Sequence, residues 1–80
     1  MTEELVPRGI AILSASEVIP TAARQHLDVI NDGANEKERA RAFIGAWESV
    51  PDEAKQQFEP DDKSTLLEAY LAAKYIVDRQ

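Results

Sequence analysis

Four prolines, at positions 7, 20, 51 and 60, constrain this chain more than any other feature. Proline lacks an amide donor and clashes with the preceding turn, so it belongs at the start of a helix or outside it. Between these points the apolar residues recur at helical spacing, which makes the expected fold all-α. The expected architecture is a small antiparallel bundle of three main helices and one short helix, with an extended N-terminal arm. Residues 1–15 form the arm and residues 16–80 a single helical domain.

The arm rests on two interruptions. Leu5, Val6, Ile10, Ile12 and Leu13 are apolar, but Pro7 and Gly9 break them up and no helical period is evident. The stretch therefore reads as extended, and either packs irregularly on the helices or pairs with another chain. Within it, Leu5-Val6-Pro7-Arg8-Gly9 matches a thrombin recognition sequence. We read it as native, with cleavage after Arg8 open to test.

The first predicted helix is capped at Ser16 or begins at Pro20. It runs to about Asn31, with Gly33 as its stop. Ile19, Ala23, Leu27 and Ile30 form its apolar stripe. The second starts at Asn35, where Glu38 completes a capping-box pattern. It carries Ala40, Phe43, Ile44 and Trp47 inward, and Pro51 ends it. A short helix from Asp52 to about Phe58 turns Ala54 and Phe58 inward. The last helix runs from Asp61 or Asp62 to Asp78. Leu66, Tyr70, Ala73 and Val77 form one stripe on it, and Leu67, Leu71 and Tyr75 supply a second apolar face.

Composition removes several function classes. With no Cys and one His in eighty residues, disulfides and Cys/His zinc sites within one chain are excluded. A net charge of −6 opposes a phosphate-binding surface, so no direct nucleic-acid binding is expected. The longest apolar run, Ile10 to Leu13, is far short of the ~20 residues that cross a bilayer. The acidic start Met1-Thr2-Glu3-Glu4 lacks the basic region of a secretory signal. The expected location is therefore cytoplasmic, without membrane association.

Chemistry is sparse. His26 has no recognisable nucleophile near it in sequence, and Asp61-Asp62 read as helix-start residues rather than an acid/base pair. Gly33 aligned as the sixth position of a calcium loop puts Ile30 and Arg39 where oxygen ligands belong, so that motif fails. Gly45 inside a helix points to close approach of another backbone, within the chain or across an interface, with packing inside the chain favoured. No enzyme activity, no cofactor and no metal are expected.

Charge is the strongest clue. Asp52, Glu53, Glu59, Asp61 and Asp62 oppose Lys55 alone, so −4 of the −6 lies within residues 51–62. Such a patch favours a basic partner surface. The expected function is a small acidic interaction module, an inhibitor or adaptor on a larger protein, where carboxylates can occupy places that phosphates would take. Those five residues are the candidate partner-binding set. Ile10, Ile12, Leu67, Leu71 and Tyr75 are the candidate self-association set, with a homodimer expected. Two other readings use different residues. One is a homo-oligomer holding a phosphorylated ligand through Lys37, Arg39, Arg41 or Lys74. The other is a structural component anchored by the arm.

Overall fold

A computed structural model describes residues 2–30 and 33–79. All regular structure among them is helical. The five helices are α1 (Thr2–Ala15), α2 (Thr21–Asp28), α3 (Glu36–Glu48), α4 (Asp52–Lys55) and α5 (Pro60–Arg79). They pack into a body of 32 × 23 × 18 Å. The helix α1 lies against α3 and α5, α3 against α5, and α2 chiefly against α3.

The first fifteen residues correct the sequence expectation, because the extended arm is a helix. Its inward positions are Val6, Gly9 and Leu13, spaced i, i+3, i+7. Val6 and Leu13 are among the largest fully buried side chains of the protein. Gly9 stands where a third apolar residue would, and the Phe43 ring and Ala69 fill the space its missing side chain leaves. Pro7 is exposed and stands off the buried positions Val6, Gly9 and Leu13. A proline inside a helix costs about 3 kcal/mol. Burying Val6 and Leu13 returns roughly 1.5–3 kcal/mol each. Tertiary packing therefore outweighs poor local propensity. Ile10 and Ile12 are half-buried and pack against the same core.

Between α1 and α2 the chain turns at Ser16 rather than starting a helix there. The Ser16 hydroxyl accepts a bond from the Val18 amide at 3.1 Å. The Arg24 guanidinium donates to the Ser16 carbonyl. The helix α2 starts after Pro20, in extended conformation at its N-cap, and ends at Asp28 with Val29 as C-cap. The expected end at Asn31 lies outside the described residues. The C-cap is Val29, so Gly33 does not stand directly after the end of this helix as expected. Ile19, Ala23 and Leu27 are buried as their spacing requires.

The expected cap of α3 is present. The Asn35 side chain accepts from the Glu38 amide at 2.8 Å, and Glu36 and Glu38 sit at the positive end of the helix. Ala40, Phe43, Ala46 and Trp47 are buried behind it. The helix α5 takes Pro60 as its first residue, with Asp61 and Asp62 in its first turn. It buries Leu66, Ala69, Ala72, Ala73 and Ile76. Three of these five inward residues are alanines, which let α1 and α3 come close to the α5 backbone.

Candidate interaction surface

One end of the molecule is built around Trp47. This side chain is buried near the C-terminal end of α3. The Phe58 ring packs on it with centroids 6.2 Å apart at 49°. Lys55 places its ammonium 4.8 Å from the centre of the same ring. Ala54 is buried beneath. A four-residue helix has little stability of its own, so Ala54, Phe58 and Lys55 fix α4 in place through Trp47. The arrangement has an electrostatic consequence. Lys55 is the single cation of residues 51–62, and it is drawn onto the indole.

The candidate partner-binding residues lie around this corner. Asp52 and Glu53 occupy the first turn of α4, and Asp61 and Asp62 the first turn of α5. Asp52, Glu53, Glu59 and Asp61 are exposed, while Asp62 is half-buried. Dipole matching at two helix starts accounts for part of this crowding. The remaining effect is a negative surface beside the start of α5.

The second feature runs along α5. Leu67, Leu71 and Tyr75 are 49%, 67% and 56% exposed. They follow one another at i, i+4 and i+8 and so form a continuous ridge about 12 Å long. The inward stripe of the same helix begins one residue earlier, at Leu66. The apolar width read from the sequence is thus divided between a core face and a solvent face. Of the candidate self-association residues, Leu67, Leu71 and Tyr75 share this ridge. Ile10 and Ile12 belong to α1 and are partly committed to the core.

Two cations near the ridge are engaged by aromatic rings of the same chain. Arg79 lies 5.2 Å from the Tyr75 ring centre and Lys74 5.1 Å from that of Tyr70. The Tyr70 hydroxyl donates a 2.7 Å hydrogen bond to Glu48 on α3. The Lys74 pKa lies above the usual lysine value, first through side-chain hydrogen bonding with Tyr70 and then through the negative charge the phenol takes on when it ionises, against desolvation, with smaller favourable effects of Glu48 and Asp78. Besides Leu67, Leu71 and Tyr75, the exposed face of α5 carries the acidic Asp61, Glu68 and Asp78 together with the basic Lys74 and Arg79.

Of the basic residues considered for a phosphorylated ligand, Arg39 and Arg41 line different hollows. Arg39 lines a cavity of about 150 Å³ with Val6, Pro7 and Glu36. Arg41 lines a separate open groove of about 350 Å³ with His26, Val29, Ile30, Glu38 and Ala42. Each arginine therefore shares its hollow with a glutamate. What approaches Gly45 is a side chain of the same chain and not the backbone expected there. That neighbour is the His26 ring, whose Nδ1 lies 2.5 Å from where a Cβ would stand. Among the described residues no three His, Asp or Glu side chains group as metal ligands. No described helix is long and apolar enough to cross a membrane.

The ridge was accessible from sequence, because i+4 spacing beside a core stripe can be counted. Lys55 on Trp47 was not, since it depends on the turn after Pro51. No protein-family model, no curated protein and no solved structure matches the chain.

Proposed function

We propose that this protein is a non-enzymatic interaction module that covers a surface of a larger protein, as an inhibitor or adaptor. The observation that carries the reading is the exposed ridge Leu67, Leu71 and Tyr75. Three large apolar side chains in a row on one helix are costly to leave in water at roughly 25 cal/mol per Å². Contiguous apolar surface of this kind marks contact sites, whereas scattered single residues do not. Asp52, Glu53, Glu59, Asp61 and Asp62 add negative charge at and before the starts of α4 and α5, which favours a basic partner and speeds its approach. The same carboxylates disfavour nucleic acid and anionic lipid.

Affinity capture from extracts of the native host tests the reading. The bait is the full chain beside its Leu71→Asp variant, with the fold of both checked by circular dichroism. A protein retained by the first and lost from the second is the expected result. Identical capture profiles for two folded baits would overturn the proposal.

A further inference from the structure

Helix α1 occupies a seat on α3 and α5 that admits one kind of helix. The α1–α5 contact is the largest between any two helices of the described residues. At the centre of the seat a Cβ on the entering helix would stand 2.7 Å from the Phe43 ring and 2.8 Å from the Ala69 Cβ. That position must therefore be glycine. Val6, three residues before Gly9, and Leu13, four after it, are buried on either side. The other two glycines lack this setting. At the same spacing Gly33 lies between Ile30 and Lys37, and Gly45 between Ala42 and Ser49. Within this protein the seat fits the sequence of α1 and no other.

The link from α1 to α2 decides whose α1 fills the seat. The chain bends at residues 17–19 and is extended at Pro20, with φ −74° and ψ 164°. Two hydrogen bonds hold the bend. The Val18 amide donates to the Ser16 hydroxyl at 3.1 Å, and the Arg24 guanidinium donates to the Ser16 carbonyl. The first is exposed and the second half-buried, so water can replace both. Val18 itself is a large apolar side chain left 39% exposed in the bend. If the link straightens, every contact of α1 can be remade on a second copy. The two arrangements then differ only in the link and in the entropy of association. A charge of −6 on each copy opposes association diffusely, whereas the apolar seat is restored in full.

We infer that α1 exchanges between two copies of this chain, each Gly9 seating on Phe43 and Ala69 of the other copy, with residues 16–20 as the hinge. This goes beyond the proposed function and does not involve the Leu67–Leu71–Tyr75 ridge.

The test unfolds the full chain in urea and refolds it at micromolar and at millimolar concentration, with mass read by light scattering. The concentrated sample is expected to contain a dimer that the dilute sample lacks. Chain labelled with carbon-13 at glycine is then mixed with unlabelled chain before refolding. In the mixed dimer, isotope-filtered NMR should show labelled Gly9 α-protons against the ring of an unlabelled Phe43. Two variants loosen the hinge. Val18→Pro removes the amide that bonds to Ser16 and favours extended backbone at Glu17. Arg24→Ala removes the brace on the Ser16 carbonyl. Each should raise the dimer share severalfold at fixed concentration. Gly9→Ala should weaken monomer and dimer alike and leave their ratio unchanged, because the contact is the same in both. Monomer alone under every condition, hinge variants included, overturns the inference. So does a dimer in which Gly9 meets only the Phe43 of its own chain. A dimer that Leu71→Asp dissociates and the hinge variants leave unchanged belongs to the ridge and overturns it too. If a hinge variant does not fold, the refolding and the isotope-filtered spectrum of the parent chain decide alone.

Discussion

Gly9 and Phe43 are in such close register that a Cβ on Gly9 would lie 2.7 Å from the Phe43 ring. The same Cβ would stand 2.8 Å from that of Ala69. Neither neighbour can retreat, since Phe43 is fully buried and Ala69 is fixed to the backbone of α5. This contact is what allows α1 to lie against both α3 and α5.

Gly9→Ala is therefore expected to destabilise the protein, although alanine is the better helix former. The propensity gain is about 1 kcal/mol. Overpacking a close-fitted core costs about 1–3 kcal/mol, and with two immovable neighbours the clash prevails. Urea unfolding of the variant should show a lower midpoint with unchanged slope. A midpoint at or above that of the parent would show that α1 is not seated on Phe43.

Gly45→Ala carries the opposite expected sign. Its Cβ would also be too close to a neighbour, at 2.5 Å from His26 Nδ1. However, His26 is exposed and its ring can swing aside. The helix gain of up to about 1 kcal/mol then remains. The variant should unfold at equal or higher urea than the parent, with shifted His26 ring resonances. Destabilisation comparable to that of Gly9→Ala would mean the ring is locked in place.

These two glycines also show what sequence could and could not reveal. Asn35 and Glu38 announce the start of α3 because a cap is a local event within four residues. Ala40, Phe43 and Trp47 announce its inward face by spacing alone. The helix α1 escaped the same logic because its middle core position is Gly9, which a hydrophobic pattern does not count. Pro7 reads as a breaker unless it is known to face water. At the surface, Leu67, Leu71 and Tyr75 were countable, as were the carboxylates of residues 51–62. The seating of Lys55 on Trp47 was not, because it depends on how α4 folds back after Pro51.

Asn35→Ala should cost about 1 kcal/mol, the usual loss when a helix N-cap is removed. The bond at stake is the one from the Glu38 amide at 2.8 Å. Asn35 is exposed, so no packing term is mixed in. Serine at the position should restore most of the loss in urea unfolding, and failure of that rescue would assign the effect to something other than the cap.

The thrombin-like segment becomes a reporter of α1. A protease needs its substrate extended across several residues, yet Leu5 to Gly9 are helical, with Val6 and Gly9 buried. Cleavage after Arg8 thus requires α1 to open first. The folded chain is expected to resist thrombin in buffer and to be cut increasingly as urea rises towards the unfolding midpoint. Cutting in buffer as fast as a free peptide of the same sequence would mean that α1 is not held.

Lys74 gives a prediction in pH. Its ammonium form is favoured first by side-chain hydrogen bonding with Tyr70, then by the negative charge Tyr70 takes on as it ionises at high pH, and less by Glu48 and Asp78, so its pKa is raised above the ordinary 10.5. A cation with a raised folded pKa contributes stability that is fully present below the unfolded value. That contribution is lost as pH rises through the folded value. The effect lies above about pH 10.5, and full exposure keeps it screened by salt. Tyr70→Phe removes the hydroxyl that also donates to Glu48. NMR titration of the Lys74 side chain should then return towards 10.5, and added salt should shrink the difference between parent and variant. An unchanged titration curve in Tyr70→Phe would show that Glu48 and Asp78, acting through charge alone, hold the lysine.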